Sequence, residues 1–177
     1  MVRRHPNEGG FGTGITILSQ DIIVAAFAVT NAVGDVINPK TNKFYSDSGQ
    51  QSLINSNLNL NTGCLNGLIS VSPANTTLAV VATNMKLHKT QLMKVAEQAH
   101  NGMARAIHTS LDGDVVFALS SLSGEQRVIP DINSTSLVDL VGLAAADALV
   151  KAINNSIFMP NQYPDSPLIK LLFDIVH

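Results

Sequence analysis

Two apolar, β-branched runs, Ile15 to Leu18 and Ile22 to Val29, flank the polar turn Ser19-Gln20-Asp21. This pattern predicts a β-hairpin with a buried second strand. Thr30 to Asp35 ends that strand, and Asn38-Pro39 marks a loop. From Lys40 onward Asn, Ser, Gln and Lys dominate with scattered leucines, too few apolar groups to offset ordering entropy. A flexible connector is therefore expected over 40–67. Leu68 to Val71 reads as a short strand interrupted by Pro73, and Thr76 to Thr83 as a strand bounded by Asn75 and Asn84. Thr90 to Ile107 carries Leu92, Val95, Ala96, Ala99, Met103 and Ile107 on one helical stripe. Asp114 to Ser120 predicts a further strand after a turn at Thr109 to Gly113. Ser134 to Ile157 predicts a helix whose apolar middle, Leu140 to Val150, is expected to be buried on more than one face. Pro160 and Pro164 stop it, and Leu168 to Val176 reads as a terminal helix that packs or mediates assembly.

The order is strands, connector, strand, helix, strand, helix, which predicts an α+β sandwich rather than a doubly wound sheet. Gly10-Phe11-Gly12-Thr13-Gly14 is not expected to form a phosphate loop, because it precedes a strand and no helix opens after it. The 177 residues fit one domain, with 1–75 preceding the Thr76 strand and 76–177 following. Charge adds little: 11 basic and 13 acidic residues give −2, with no basic block, which argues against nucleic acid and anionic membranes as partners. Cys64 is the single cysteine, so neither an internal disulfide nor a Cys-based zinc site is available. The longest apolar run, Ile22 to Val29, is too short to span a bilayer, and the opening lacks a signal-like apolar stretch. A cytoplasmic location is the expectation.

Three features could carry chemistry. Thr76 opens a strand behind a connector, the arrangement that an N-terminal nucleophile requires. Its hydroxyl would attack the Asn75 carbonyl, an N-to-O acyl shift would give an ester, and water would cut the chain. The freed α-amine, with a reference pKa of about 8, would then serve as base for its own hydroxyl. Spacing alone favours the plainer reading, that Asn-Thr-Thr simply leads into a strand. Asp112 and Asp114 flank Gly113; carboxylates two residues apart share a side of an extended segment and can orient a hydroxyl and shuttle a proton. Asp-Gly-Asp is equally a common hairpin turn. Asn31, at a strand end, can donate to an oxyanion or merely close the strand. His100 and His108, at a spacing compatible with one helical face, read as capping or packing residues, and Cys64 has no basic neighbour to activate it.

Together these segments resemble a known family. Gly9 to Thr13, Val29 to Val36, Asn75 to Asn84, Ala99 to Ile107 and Asp112 to Leu119 are similar, in order, to motifs of the self-processing L-aminopeptidase/D-esterase (DmpA-like) family of N-terminal nucleophile hydrolases. A threonine followed by Asp-x-Asp looks most like its nylon-oligomer (6-aminohexanoate oligomer) hydrolase branch. The resemblance implies an αββα sandwich, incomplete here, and a precursor cut between Asn75 and Thr76. It implies Thr76 as nucleophile, Asp112 and Asp114 as its acidic support and Asn31 as the oxyanion donor. The substrate would be a small peptide or amide, the assembly a homo-oligomer, and no metal or cofactor is implied. Family precursors are longer, chiefly before the Gly-rich strand, and Glu8 stands where the nylon-hydrolase branch carries a lysine. Two hypotheses follow: a self-cleaving threonine amidohydrolase, or a truncated, non-catalytic member acting as a binding or structural subunit or needing a separate chain to complete it.

Overall fold

The computed structural model describes residues 10–18, 22–31, 34–38, 40–41, 43–47, 76–108, 113–121 and 134–158. Its centre is a four-stranded mixed sheet in the order β1-β2-β5-β6, where β1 is Phe11–Ile17, β2 Ile23–Val29, β5 Leu78–Thr83 and β6 Val115–Ser120. The first three strands pair antiparallel, and β6 pairs parallel to β5. A parallel pair needs a crossover, supplied here by α1 (Lys89–Ala106). A second helix, α2 (Ser134–Phe158), follows β6. The short strands β3 (Ile37–Asn38) and β4 (Lys43–Phe44) form a separate pair.

Both helices cover one face of the sheet. On β2 and β5, Val24, Ala26, Ala28, Ala79 and Val81 turn inward to meet Val95, Ala99 and Met103 of α1 and Val141, Ala145, Ala148, Leu149 and Ile153 of α2 in one core. The apolar middle of α2 is buried against both α1 and the sheet, as its composition predicts, with Leu143 and Asp147 left on the outer side. The opposite sheet face carries exposed Val29, Leu78, Val115, Phe117 and Leu119.

Two sequence expectations change. The Gly-rich segment does not precede the first strand; from Phe11 onward it is the strand. Its glycines serve helix docking: a Cβ on Gly12 would overlap the Ala152 carbonyl oxygen and the Ser156 nitrogen, and one on Gly14 the Ala148 carbonyl oxygen. Bare backbone thus lets α2 lie directly on β1, where Lys151 Nζ donates to Ile15 O (2.8 Å) and Asn155 Nδ2 to Thr13 O (2.8 Å). The expected connector, for its part, opens with order. Phe44 packs on the core, and Ser46 exchanges hydrogen bonds with Asn154 of α2 at 3.0–3.2 Å. The remainder of that connector, the Leu68 to Val71 strand and the Leu168 to Val176 helix lie outside the described residues.

The helices meet as closely as α2 meets β1, since a Cβ on Gly102 of α1 would overlap the Ala146 backbone of α2. Gly12→Ala and Gly102→Ala are each expected to destabilise the fold by about 1–3 kcal/mol through overpacking, despite alanine's better helix propensity at the second site. Gly113→Ala, with open space around it, should stay within about 0.5 kcal/mol. Urea unfolding midpoints measure all three.

Candidate active site

The ladder brings the candidate residues to one end of the sheet. Along β2 and β5 the register runs from Val24↔Thr83 to Val29↔Leu78, and along β5 and β6 from Leu78↔Val115. Continued past those pairs, Thr30 falls opposite Thr77 and Asn31 opposite Thr76, with Asp114 beside Thr77. Side chains alternate along each strand. Thr30, Thr77 and Asp114 therefore share the helix-covered face, while Asn31 and Thr76 share the open face with Val29 and Leu78. Burial agrees: Thr30 and Thr77 are buried, Thr76 is half-buried and Asn31 exposed. Directly opposed residues hold their Cβ atoms about 4.5–5.5 Å apart, so an Asn31 amide can reach an oxygen on a carbon bonded to the Thr76 hydroxyl.

Asp114 acts from the other face. Its Oδ1 accepts a 2.8 Å hydrogen bond from the Thr77 N–H, while the Val115 N–H donates to the Thr77 carbonyl at 3.1 Å. This pair of bonds ties the start of β5 to the start of β6 immediately after Thr76. A carboxylate accepting from a backbone N–H makes a charge-assisted bond, so Asp114 fixes the backbone that carries the candidate nucleophile. Asn75 and Asp112, the other two residues singled out by the sequence, and Glu8 lie outside the described residues.

Sequence reasoning missed a set of buried hydroxyls beneath this row. Thr30 donates its N–H to Gly10 O (2.9 Å), and its Oγ1 lies 2.7 Å from Ser156 Oγ of α2. Thr77 Oγ1 is buried without a hydrogen-bond partner among the described residues. The available signals were a threonine adjoining each candidate, Thr30 before Asn31 and Thr77 after Thr76, and a serine within an apolar helix. His100 and His108 do not share a helical face: His108 follows the end of α1, donates its N–H to Asp35 O (2.9 Å) and stacks on Tyr45 at 4.5 Å. Among the described residues no group of three His, Cys, Asp or Glu could hold a metal ion, and no helix is long and apolar enough to cross a membrane.

The arrangement of sheet and helices aligns with solved structures of the N-terminal nucleophile hydrolase fold. The l-aminopeptidase d-ala-esterase/amidase from Ochrobactrum anthropi, whose structure is described as a variant of that fold, aligns with 94% of this chain and 45% of its own, at a TM-score of 0.52 and 18% identity. The model of peptidase family S58 matches residues 3–165. The chain belongs to peptidase family S58, in agreement with the resemblance carried by its motifs. An uncharacterized aminopeptidase of Mycobacterium tuberculosis is 34% identical over 167 residues, covering 82% of this chain and 46% of the relative. A 6-aminohexanoate-oligomer endohydrolase of Kocuria is 32% identical over 88 residues, covering 44% of this chain and 25% of the enzyme. The chain thus spans about half the length of the mycobacterial relative.

Asp114→Ala is expected to cost about 1–3 kcal/mol, because it leaves the buried Thr77 N–H without an acceptor. Asp114→Asn, which keeps an oxygen in place, should recover most of that loss. Chemical denaturation of the two variants side by side makes the comparison.

Proposed function

We propose that the chain is a self-cleaving N-terminal threonine hydrolase of amide bonds in short peptides or ω-amino-acid oligomers. The observation that supports this reading is the register of β2 on β5, which, continued two residues past its last pair Val29↔Leu78, would bring Asn31 opposite Thr76 on the open face, while Asp114 accepts from the Thr77 N–H. Family membership supports the reaction class.

The Thr76 hydroxyl attacks the Asn75 carbonyl carbon, and the peptide nitrogen leaves as the α-amine of Thr76. Water then hydrolyses the resulting ester, releasing the Asn75 carboxylate and restoring the hydroxyl. In turnover that amine accepts the hydroxyl proton as Oγ1 adds to a substrate amide. The oxyanion takes a hydrogen bond from the Asn31 amide, and the leaving amine departs with the proton. Water clears the acyl-enzyme by the same route. Asp112, two residues before Asp114, belongs in this reading to the acidic support of the nucleophile. No cofactor enters any step, and a homo-oligomer is the assembly proposed.

A second reading has its own support. Val29, Leu78, Val115, Phe117 and Leu119 leave an apolar sheet face open beside Thr76, and the mycobacterial relative is about twice as long as the stretch matched here. Such a face calls for a covering layer, so on this reading the chain functions only with a polypeptide equivalent to the relatives' unmatched part, or serves as a non-catalytic subunit.

Initial rates on aminoacyl p-nitroanilides and 6-aminohexanoate oligomers separate the readings. Thr76→Ala should abolish turnover, and Asn31→Ala should lower kcat by about 10²–10³-fold, the loss expected of an oxyanion donor. Turnover that survives Thr76→Ala would remove the threonine mechanism. Turnover seen only after a polypeptide equivalent to the relatives' unmatched part is supplied as a second chain would favour the partner-dependent form.

A further inference from the structure

Asn31 presents a design problem if it is the oxyanion donor proposed above, the reading on which this inference rests. It stands past the last ladder pair of β2, exposed, where strand ends fray. Yet an oxyanion donor works only if it is held in place before charge develops.

We propose that the buried Thr30–Ser156 hydroxyl pair fixes the backbone that leads into Asn31, with both residues acting as positioning residues for the reaction. Ser156 is wholly buried in the last turns of α2 and Thr30 is 3% exposed. Ser156 Oγ lies 2.7 Å from Thr30 Oγ1 and 2.7 Å from the Ile153 carbonyl oxygen. Each hydroxyl has one proton. The arrangement that satisfies both contacts has Thr30 donating to Ser156 and Ser156 donating to Ile153. The chain of bonds locks the Thr30 rotamer, which β-branching already restricts. The Thr30 N–H, bonded to Gly10 O at 2.9 Å, locks its backbone. With one residue pinned through both backbone and side chain, the next residue keeps little freedom at its own N–Cα unit.

The seat of α2 makes the pair possible. Ser156 reaches Thr30 because Gly12, one strand over, has no side chain to hold the helix off: a Cβ there would meet the Ser156 nitrogen and Cα. Against a core of alanine, valine, leucine, isoleucine and methionine, two hydroxyls facing each other add nothing to apolar burial. They occur at the level of the site, directly before Asn31.

The test compares wild type with Thr30→Val, which removes the hydroxyl at nearly constant volume, Thr30→Ser, which keeps it, Ser156→Ala, and the Thr30→Val/Ser156→Ala double variant. Readouts are kcat and KM on an amide that wild type turns over, the urea midpoint, and the Asn31 side-chain amide signals in ¹H–¹⁵N spectra. Thr30→Val and Ser156→Ala should each lower kcat about tenfold or more with KM within about twofold, as loss of transition-state stabilisation alone requires. The double variant should be no worse than either single one, because both break the same contact. Thr30→Ser should retain wild-type kcat, and the Asn31 signals should shift in Thr30→Val but not in Thr30→Ser. A Thr30→Val protein with wild-type kcat overturns the proposal, as does a Thr30→Ser protein that loses as much as Thr30→Val. If wild type shows no turnover the proposed function fails separately, and the pair is then judged by the spectra: unchanged Asn31 signals in folded Thr30→Val overturn the anchoring.

Discussion

The antiparallel pairing of β2 with β5 is the constraint on which the rest of the molecule depends. It joins residues about fifty to sixty positions apart in the chain, and its register, continued past Val29↔Leu78, directs Thr76 toward Asn31. A slip of one residue would reverse the faces of every side chain on one strand, pushing Val24, Ala26 and Ala28 into solvent and turning Asn31 toward the helices. The inward set Val24, Ala26, Ala28, Ala79 and Val81, buried under both helices, penalises that slip at each position. Register in the core thereby determines geometry at the rim, where Thr76 and Asn31 lie beyond the last paired residues.

The helix layer is fitted to that sheet by small residues rather than large ones. Ala144, Ala145, Ala148 and Ala152 of α2 are buried, and Gly12, Gly14 and Gly102 meet it backbone to backbone. Close approach brings Lys151 and Asn155 of α2 within reach of the β1 backbone, and the Ser156 hydroxyl within reach of the Thr30 hydroxyl. Arg105 of α1, 2.7 Å from Asp147, adds an exposed tie between the helices; such pairs contribute about 0–1 kcal/mol, so alignment rests on the packing. The proposed site draws on three strand ends, with Thr76 just before β5, Asn31 just beyond β2 and Asp114 just before β6.

Periodicity made α1 legible, because it buries one stripe, whereas α2, buried against both α1 and the sheet, and the strands β5 and β6 were legible as apolar runs. Phe11 to Gly14 misled for a physical reason. Glycine is a poor strand former, and these glycines are there for a helix some 140 positions later in the chain, a long-range demand with no local trace. Phe44 and Ser46 were hidden in the polar composition of their surroundings, since one aromatic ring and one hydroxyl suffice to dock a short strand pair. At the candidate site, Thr76, Asp114 and Asn31 were singled out through motif resemblance, whereas spacing left each of them an ordinary turn or strand-end residue. Their juxtaposition needed the register. Thr30 and Ser156 were invisible in sequence, since a hydroxyl in an apolar run tells nothing of its partner until helix and strand are packed together.

The central claim is that this sheet end assembles a nucleophile able to cut its own chain, and the intact mass of the purified protein under denaturing conditions tests it most directly. Cleavage between Asn75 and Thr76 predicts two species of 75 and 102 residues in place of the 177-residue chain, and only the uncut chain in Thr76→Ala. A single 18.8 kDa species that persists for days at neutral pH, or a cut at any other bond, would contradict the account.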